Sequence, residues 1–344
     1  MRIDLRSDTL TRPTPAMLDA MMTAKVGDDV YKEDPTVNAL EEKIADLFGM
    51  DSALYFPTGS MTNQAAIKMH TQPGEELIAD KYAHIYNYEG GGISFNSGVS
   101  CRLADGKRGM ITADQVKTCI NPPDFYHSPL TSLVCLENTT NKGGGACYDF
   151  SEILEIRKVC DDHGLGLHLD GARLWNALVA TDESPKDYGK VFDTISVCLS
   201  KGLGAPMGSV LVGKKELMKK AMRVRKVLGG GMRQGGYMAA AGIYAIDNHW
   251  QRMEEDHQRA KELSELLNKH EAVASVDPVE TNILIFNLKQ GVDESSFLES
   301  LKKNDIYISN LGPGKLRIVT HYDYTQEMHE KLLDFFKNQT IFAQ

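Results

Sequence analysis

Short apolar runs recur through the first two thirds of the chain, and most stop at a polar or charged residue. Ala53-Leu54-Tyr55-Phe56, Glu76-Leu77-Ile78-Ala79-Asp80, Val99–Leu103, Thr131–Leu136, Leu165–Leu169 and Thr194–Leu199 have the length and composition of strands. Between them the apolar period lengthens to that of a helix. Val37, Leu40, Ile44 and Leu47 share one face after Asp34-Pro35-Thr36, and Ile153, Ile156 and Cys160 share another before His163-Gly164. Thr14 as N-cap with Pro15 at the first position predicts a helix to about Thr23. Further helices are expected from the Pro57–Asn63 loop to about His70, over 111–120 with Thr112 as cap, from Lys214 to Val227, and from Tyr237 to about Asn248. Strands alternating with helices over short links predict an α/β fold, with a mainly parallel central sheet and helices on both faces. Gly208–Val212 follows Thr194–Leu199 so closely that an antiparallel strand is expected there.

The texture changes near Trp250. A charged helix to about Asn268, a strand at Asn282–Phe286, a helix at Glu294–Lys303, strands at Ile306–Ile308 and Lys315–Thr320, and a last helix from near Thr325 suggest a smaller C-terminal α+β unit. The expected division is a large domain over 1–249 and a small domain over 250–344. Outside the Thr14 helix, residues 1–35 read as an arm, reaching the site or a second subunit, rather than as a core element.

Composition narrows the function. The chain has 344 residues and a net charge of −9, from 38 basic and 47 acidic side chains. That balance argues against nucleic acid or an anionic membrane as partner. No apolar run approaches the roughly 18 residues of a membrane span, and Met1–Arg6 lacks the apolar core of a signal peptide. Six cysteines without a C-x-x-C pair read as reduced thiols of a cytoplasmic protein, and no metal site is expected.

The candidate chemistry sits at strand ends. One run closes on Asp170-Gly171-Ala172-Arg173 and another on Ser200-Lys201-Gly202. In open α/β sheets ligands lie beyond the carboxyl ends of the strands. A lysine there can form a Schiff base and an aspartate can hold a pyridinium nitrogen, the two groups that pyridoxal phosphate chemistry needs. Thr58-Gly59-Ser60-Met61 before a helix suits a phosphate, although such a turn is more often a plain N-cap. His84 lies just past a strand, where a planar ring can stack on a planar cofactor. His127 precedes a strand, and Gly229-Gly230-Gly231 delivers Arg233 on a bent or mobile loop. The basic residues of 214–227 read mostly as a solvated face. Arg317 interrupts an apolar strand, as a salt-bridged structural residue or as a carboxylate-binding one.

Taken together, Asp4–Thr9, Gly27–Tyr31, Glu33–Thr36, Glu137-Asn138-Thr139, His168–Arg173, Leu199–Leu203, Gly229–Gln234 and Leu316–His321 resemble the threonine aldolase family, in order and over nearly the whole chain. The resemblance implies fold type I of the pyridoxal phosphate enzymes and cleavage of L-threonine, L-allo-threonine and related 3-hydroxy-α-amino acids to glycine and an aldehyde. It implies that Lys201 carries the cofactor, Asp170 pairs with its ring nitrogen and His84 stacks on its ring. Gly59, Ser60 and the Met61 amide would hold the phosphate. Arg173 would lie near the ring hydroxyl and the substrate carboxylate, and Arg317 and Ser7 would bind that carboxylate. His127 would lie near the substrate hydroxyl, and Arg233 near the phosphate across a subunit boundary of a homotetramer, a dimer of dimers. His84 and His127 are both candidates for the base. Departures such as Thr140 in place of a histidine, and Pro129-Leu130-Thr131 without the family's arginine, border the substrate side chain. The competing readings are a β-eliminating lyase on the same cofactor, a non-catalytic cofactor-binding sensor, and a nucleotide-binding protein. The last lacks a G-x-x-x-x-G-K-[ST] run.

Overall fold

The computed structural model describes residues 1–338; residues 339–344 lie outside the described residues. In chain order the elements begin β1 (Ile3–Asp4), α1 (Pro15–Met22), α2 (Pro35–Phe48), β2 (Ser52–Phe56), α3 (Gly59–His70), β3 (Glu76–Asp80), α4 (His84–Asn87), β4 (Ser100–Ala104), α5 (Ala113–Cys119) and β5 (Thr131–Glu137). They continue α6 (Phe150–His163), β6 (Gly166–Gly171), α7 (Leu174–Ala180), α8 (Pro185–Val191), β7 (Thr194–Cys198), β8 (Ser209–Gly213), α9 (Lys215–Val227) and α10 (Gly236–His249). The remainder is α11 (Met253–Leu267), β9 (Val273–Val276), β10 (Ile283–Leu288), α12 (Glu294–Lys303), β11 (Ile306–Tyr307), β12 (Ser309–Gly312), β13 (Lys315–Val319) and α13 (Gln326–Asn338).

Seven strands form the central sheet in the order β2-β8-β7-β6-β5-β3-β4. The ladders from β7 to β4 are parallel, whereas β8 runs antiparallel to both neighbours, as its short return from β7 requires. β6 and β7 are nearly or wholly buried along their length, so their sequences read as continuous apolar runs rather than alternations. Local chemistry fixes the flanking helices. Asp34 caps α2 through the Thr36 and Val37 N–H groups, and Gly49 ends it in the left-handed region at φ 62°. The second sheet, β12-β13-β10-β9, is antiparallel and packs with α11, α12 and α13 around its own core.

Helix α8 and strands β9 and β12 were not expected, and three further features differ from the sequence reading. The opening of the chain is a core strand as well as an arm: β1 pairs in parallel with β11, and Ile3 and Leu5 are fully buried in the core of the smaller sheet. The alternation Ile3-Asp4-Leu5-Arg6 is the period-two signal for it. Helix α7 goes unpredicted because Leu174, Trp175, Asn176, Ala177 and Leu178 are all buried, leaving no amphipathic period. Arg225 departs from the solvated face of α9. It is buried, donating to the Tyr55 carbonyl at 2.6 Å and to Asp29 Oδ2 at 2.7 Å.

Candidate active site

The parallel strands end along one edge of the sheet, and the predicted residues gather there. Gly59 opens α3 after β2, His84 opens α4 after β3, Glu137 ends β5, Asp170 is the next-to-last residue of β6, and Lys201 follows β7. Lys201 Nζ lies 3.4 Å from the buried Cys198 Sγ, and its carbonyl accepts from the Thr11 hydroxyl at 3.1 Å. All six cysteines are free.

Asp170 is buried and fully oriented. Asn63 Nδ2 donates to Oδ2 at 2.9 Å and the Ala172 N–H to Oδ1 at 3.1 Å. The same Asn63 nitrogen donates to Glu89 Oε1 at 2.9 Å, and Gln64 Nε2 to Glu89 Oε2 at 2.7 Å. Glu89 Oε1 in turn lies 3.0 Å from His84 Nδ1. Burial opposes a charge on His84, but the Glu89 hydrogen bond, with Asp170 and Glu137 behind it, raises its pKa above the ordinary histidine value. Glu137 takes the His84 N–H at 2.7 Å and the Asn141 N–H at 2.8 Å. Burial and then the Asp170 charge push its carboxyl up to about 7, against those two donors.

His168, two residues before Asp170 on β6, is buried without charge: burial, then neighbouring His70, pushes its pKa down to about 3. A depressed folded-state pKa means that the unfolded chain takes up the proton first as pH falls. Its stabilising contribution is therefore complete above the ordinary histidine pKa near 6.5 and is lost as pH falls toward 3. A His168→Gln variant is expected to flatten this acid limb by on the order of 4 kcal/mol. Urea-unfolding free energies measured between pH 7 and pH 4 check it; parallel curves for the two proteins would remove His168 as the cause.

The opposite wall comes from the N-terminus and the smaller sheet. Arg173 Nε and Nη2 grip Asp8 at 2.8 and 2.7 Å, and both residues are buried. Asn282 Nδ2 adds a longer contact to Asp8 at 3.4 Å. The N-terminal segment thus reaches the site within its own chain. Ser7, beside it, caps the turn at Thr9. Arg317 on β13 donates to Asn141 Oδ1 at 2.8 Å and to the Arg6 carbonyl at 2.9 Å, both neutral oxygens. No carboxylate among the described residues is within ion-pair distance of it, so the salt-bridged reading of Arg317 is not met. Burial and the nearby Arg173 cation hold its pKa below the ordinary arginine value, with Asp8 only partly offsetting them.

The phosphate end is a bare helix start. Thr58 caps α3 by accepting from Met61 N–H at 3.2 Å, which commits that amide to the cap. The Gly59 and Ser60 amides and the exposed Ser60 hydroxyl have no acceptor among the described residues. A Cβ on Gly59 would sit 2.5 Å from Cys198 Sγ, so any larger residue there would force the thiol or the loop to shift. These groups fit a dianionic phosphate, as Asp170 fits a ring nitrogen and Lys201 an aldehyde.

Two predicted residues lie apart from this cluster within the single chain. His127 is exposed, with its ring 4.0 Å from that of Tyr126 and 5.2 Å from that of Phe125. Arg233 is exposed and pairs with Asp28 at 2.8 Å. Sequence reasoning gave no role to Asp8, Asn63, Glu89, Glu137, Asn141 or Asn282. Asp8 and Glu137 stood in quoted motifs, but Arg173 lies 165 residues from Asp8 and His84 lies 53 residues from Glu137, so no local spacing pairs them.

A family model described as beta-eliminating lyase matches residues 4–290. The chain is 42% identical over 326 residues to the low specificity L-threonine aldolase of Escherichia coli K12, covering 94% of this chain and 95% of that protein. It is 39% identical over 342 residues to the low-specificity L-threonine aldolase 1 of Arabidopsis thaliana, covering 97% and 95%. Among solved structures, a Leishmania major threonine aldolase superposes with a TM-score of 0.85 at 23% identity, over 98% of this chain and 100% of that one, and so shares the fold. With this identity sustained over nearly its full length, the chain belongs to the low-specificity L-threonine aldolase family, among the beta-eliminating lyases.

Proposed function

We propose that the protein is a pyridoxal phosphate-dependent carbon–carbon lyase that cleaves L-threonine, L-allo-threonine and related 3-hydroxy-α-amino acids to glycine and an aldehyde. The observation that carries this reading is the half-buried Arg317 cation without a carboxylate partner, facing Arg173 at the strand-end cluster of Lys201 and Asp170. A site built only to hold a cofactor has no need of that cation, whereas an α-amino acid brings the missing anion.

When bound, pyridoxal phosphate supplies an aldehyde for an amine to condense with and a ring that accepts the electrons of the Cα–Cβ bond. The Gly59 and Ser60 amides and the Ser60 hydroxyl would hold the phosphate, with Met61 in the same turn. Asp170, acceptor-only while Asn63 and Ala172 donate to it, keeps a proton on the ring nitrogen. His84 would lie against the ring, and Lys201 Nζ would provide the covalent anchor. Arg317, with Arg173 behind it and Ser7 beside it, fixes the substrate carboxylate. That orients the Cα–Cβ bond for cleavage. With Nδ1–H turned to Glu89, His84 keeps Nε2 as its acceptor nitrogen. His84 or His127, directly or through water, takes the β-hydroxyl proton, and Cα is reprotonated to give glycine. We assign His127 and Arg233 to an active site completed by neighbouring subunits of a homotetramer, since both are exposed in the single chain. No helix among the described residues is long and apolar enough to cross a membrane, and we propose a cytoplasmic location.

Two measurements test the reading. Adding pyridoxal phosphate to cofactor-free protein is expected to produce near-violet absorbance, and borohydride then to fix the cofactor on the peptide containing Lys201. Label on another lysine, or no absorbance, would contradict it. In Arg317→Gln, the KM for L-threonine is expected to rise about 10- to 100-fold, the worth of one charge-assisted pair, with a smaller change in kcat. An unchanged KM would place the carboxylate elsewhere.

A further inference from the structure

We propose that Asn63, oriented by His168, is the positioning residue that sets the two carboxylates of the cofactor site, Asp170 and Glu89, as a matched pair of acceptors. The inference rests on the cofactor reading above and adds a residue to which that reading assigned nothing. One amide nitrogen, Asn63 Nδ2, is 2.9 Å from Asp170 Oδ2 and 2.9 Å from Glu89 Oε1. Polar atoms of His84, Glu89 and Asp170 all lie within 4.8 Å of one another, with Glu137 within electrostatic reach. Carboxylates this close repel one another, and an NH2 group between two of them offsets that repulsion while fixing which lone pairs remain free.

The amide is held by a chain of donors that all point the same way. With Asn63 Nδ2 committed to two carboxylates, Oδ1 must face His168 Nε2, 3.2 Å away, so that nitrogen carries the proton. Nδ1 of the neutral ring is then an acceptor, and the Thr194 hydroxyl at 2.9 Å is able to donate to it. The Thr194 carbonyl, at 3.2 Å, is farther and cannot donate. That hydroxyl is left to accept from His70 Nε2 at 3.0 Å. From His70 through Thr194, His168 and Asn63 every hydrogen therefore points toward Asp170 and Glu89. Chains of this kind polarise one another and favour negative charge at their accepting end. His168, Asn63 and Thr194 are all buried, out of contact with bulk solvent. At the far end, Asp170 is kept as a ring-nitrogen acceptor and Glu89 as the partner of His84.

The consequence is that Asn63 tunes the bound cofactor without touching substrate. In Asn63→Leu and in His168→Leu, the dissociation constant for pyridoxal phosphate is expected to rise at least 10-fold, and the pH midpoint of the near-violet band to move by about one unit. His168→Gln, whose amide can still donate to Asn63 Oδ1, is expected to stay within about threefold of the parent. A purely structural role would instead lower unfolding stability in all three and leave the band's midpoint unmoved, which would overturn the proposal. Neutron diffraction from the parent holoenzyme needs no variant. Deuterium on His168 Nε2 with none on Nδ1 supports the chain, and the reverse tautomer overturns it. If the parent protein takes up no pyridoxal phosphate at all, the cofactor reading fails; if it does and Asn63→Leu leaves both affinity and midpoint unchanged, only the present inference fails.

Discussion

Replacing Lys201 with alanine is expected to cut turnover of L-threonine by on the order of a thousandfold or more, while the protein keeps its fold and its non-covalent affinity for phosphate-bearing cofactor. The side chain leaves the sheet just after β7 and its nitrogen has one sulfur contact, to Cys198. Little folding energy is invested in it, so the loss should fall on covalent anchoring and proton handling. Single-turnover rates, unfolding midpoints and borohydride labelling separate these effects. Retained covalent labelling with full turnover would show that another amine does the work.

The second large effect concerns stability. Asp8→Ala is expected to cost about 3–5 kcal/mol, because it strands the buried Arg173 guanidinium without its anion. Burial alone would raise the Asp8 pKa, but Arg173, its hydrogen bonds and then Lys201 lower it below the ordinary carboxylate value. A depressed carboxylate contributes stability that is present above its unfolded pKa near 3.8 and is lost as pH falls through the folded one. The Asp8→Ala protein should therefore lack the parent's acid-side loss from this pair. Denaturant titrations at pH 7 measure the first effect, and a series from about pH 4 down to about pH 2 measures the second. A double variant, Asp8→Leu with Arg173→Met, should recover much of the stability while remaining inactive. A cost below about 1 kcal/mol for Asp8→Ala would mean that water, not Asp8, solvates Arg173.

How much of this was written in the sequence depends on the distance over which each residue acts. The strand-end positions of Lys201, Asp170 and His84 were legible because each lies at or just past the end of its own strand, and a strand end is a local signal. Arg317 was legible as an anomaly, a charge in an apolar strand, but its lack of a carboxylate partner is a fact of three dimensions. Asp8 was out of reach because its partner lies 165 residues away. Asn63 sat in plain view near the start of α3. Its importance comes from the carboxylates of Glu89 and Asp170 meeting it, which no spacing predicts. In the fold, the sheet and most helices followed from periodicity and caps. What escaped were α7, buried on nearly all sides and so without an amphipathic period; α8, whose Ser184 cap and Pro185, Tyr188 and Val191 face went unread; and the short strands β1, β9 and β12, too brief for their own residues to announce them.

The distinction on which the account turns is which bond of the substrate breaks. The family model takes its description from β-elimination, and the relatives at 42% and 39% identity are named for aldol cleavage. Both chemistries would draw on the Lys201, Asp170 and His84 proposed above. Incubating the cofactor-loaded protein with L-threonine and with L-allo-threonine, and quantifying all products, separates them. The account predicts glycine and acetaldehyde in equal amounts, with no ammonia released; 2-oxobutanoate and ammonia in equal amounts would contradict it.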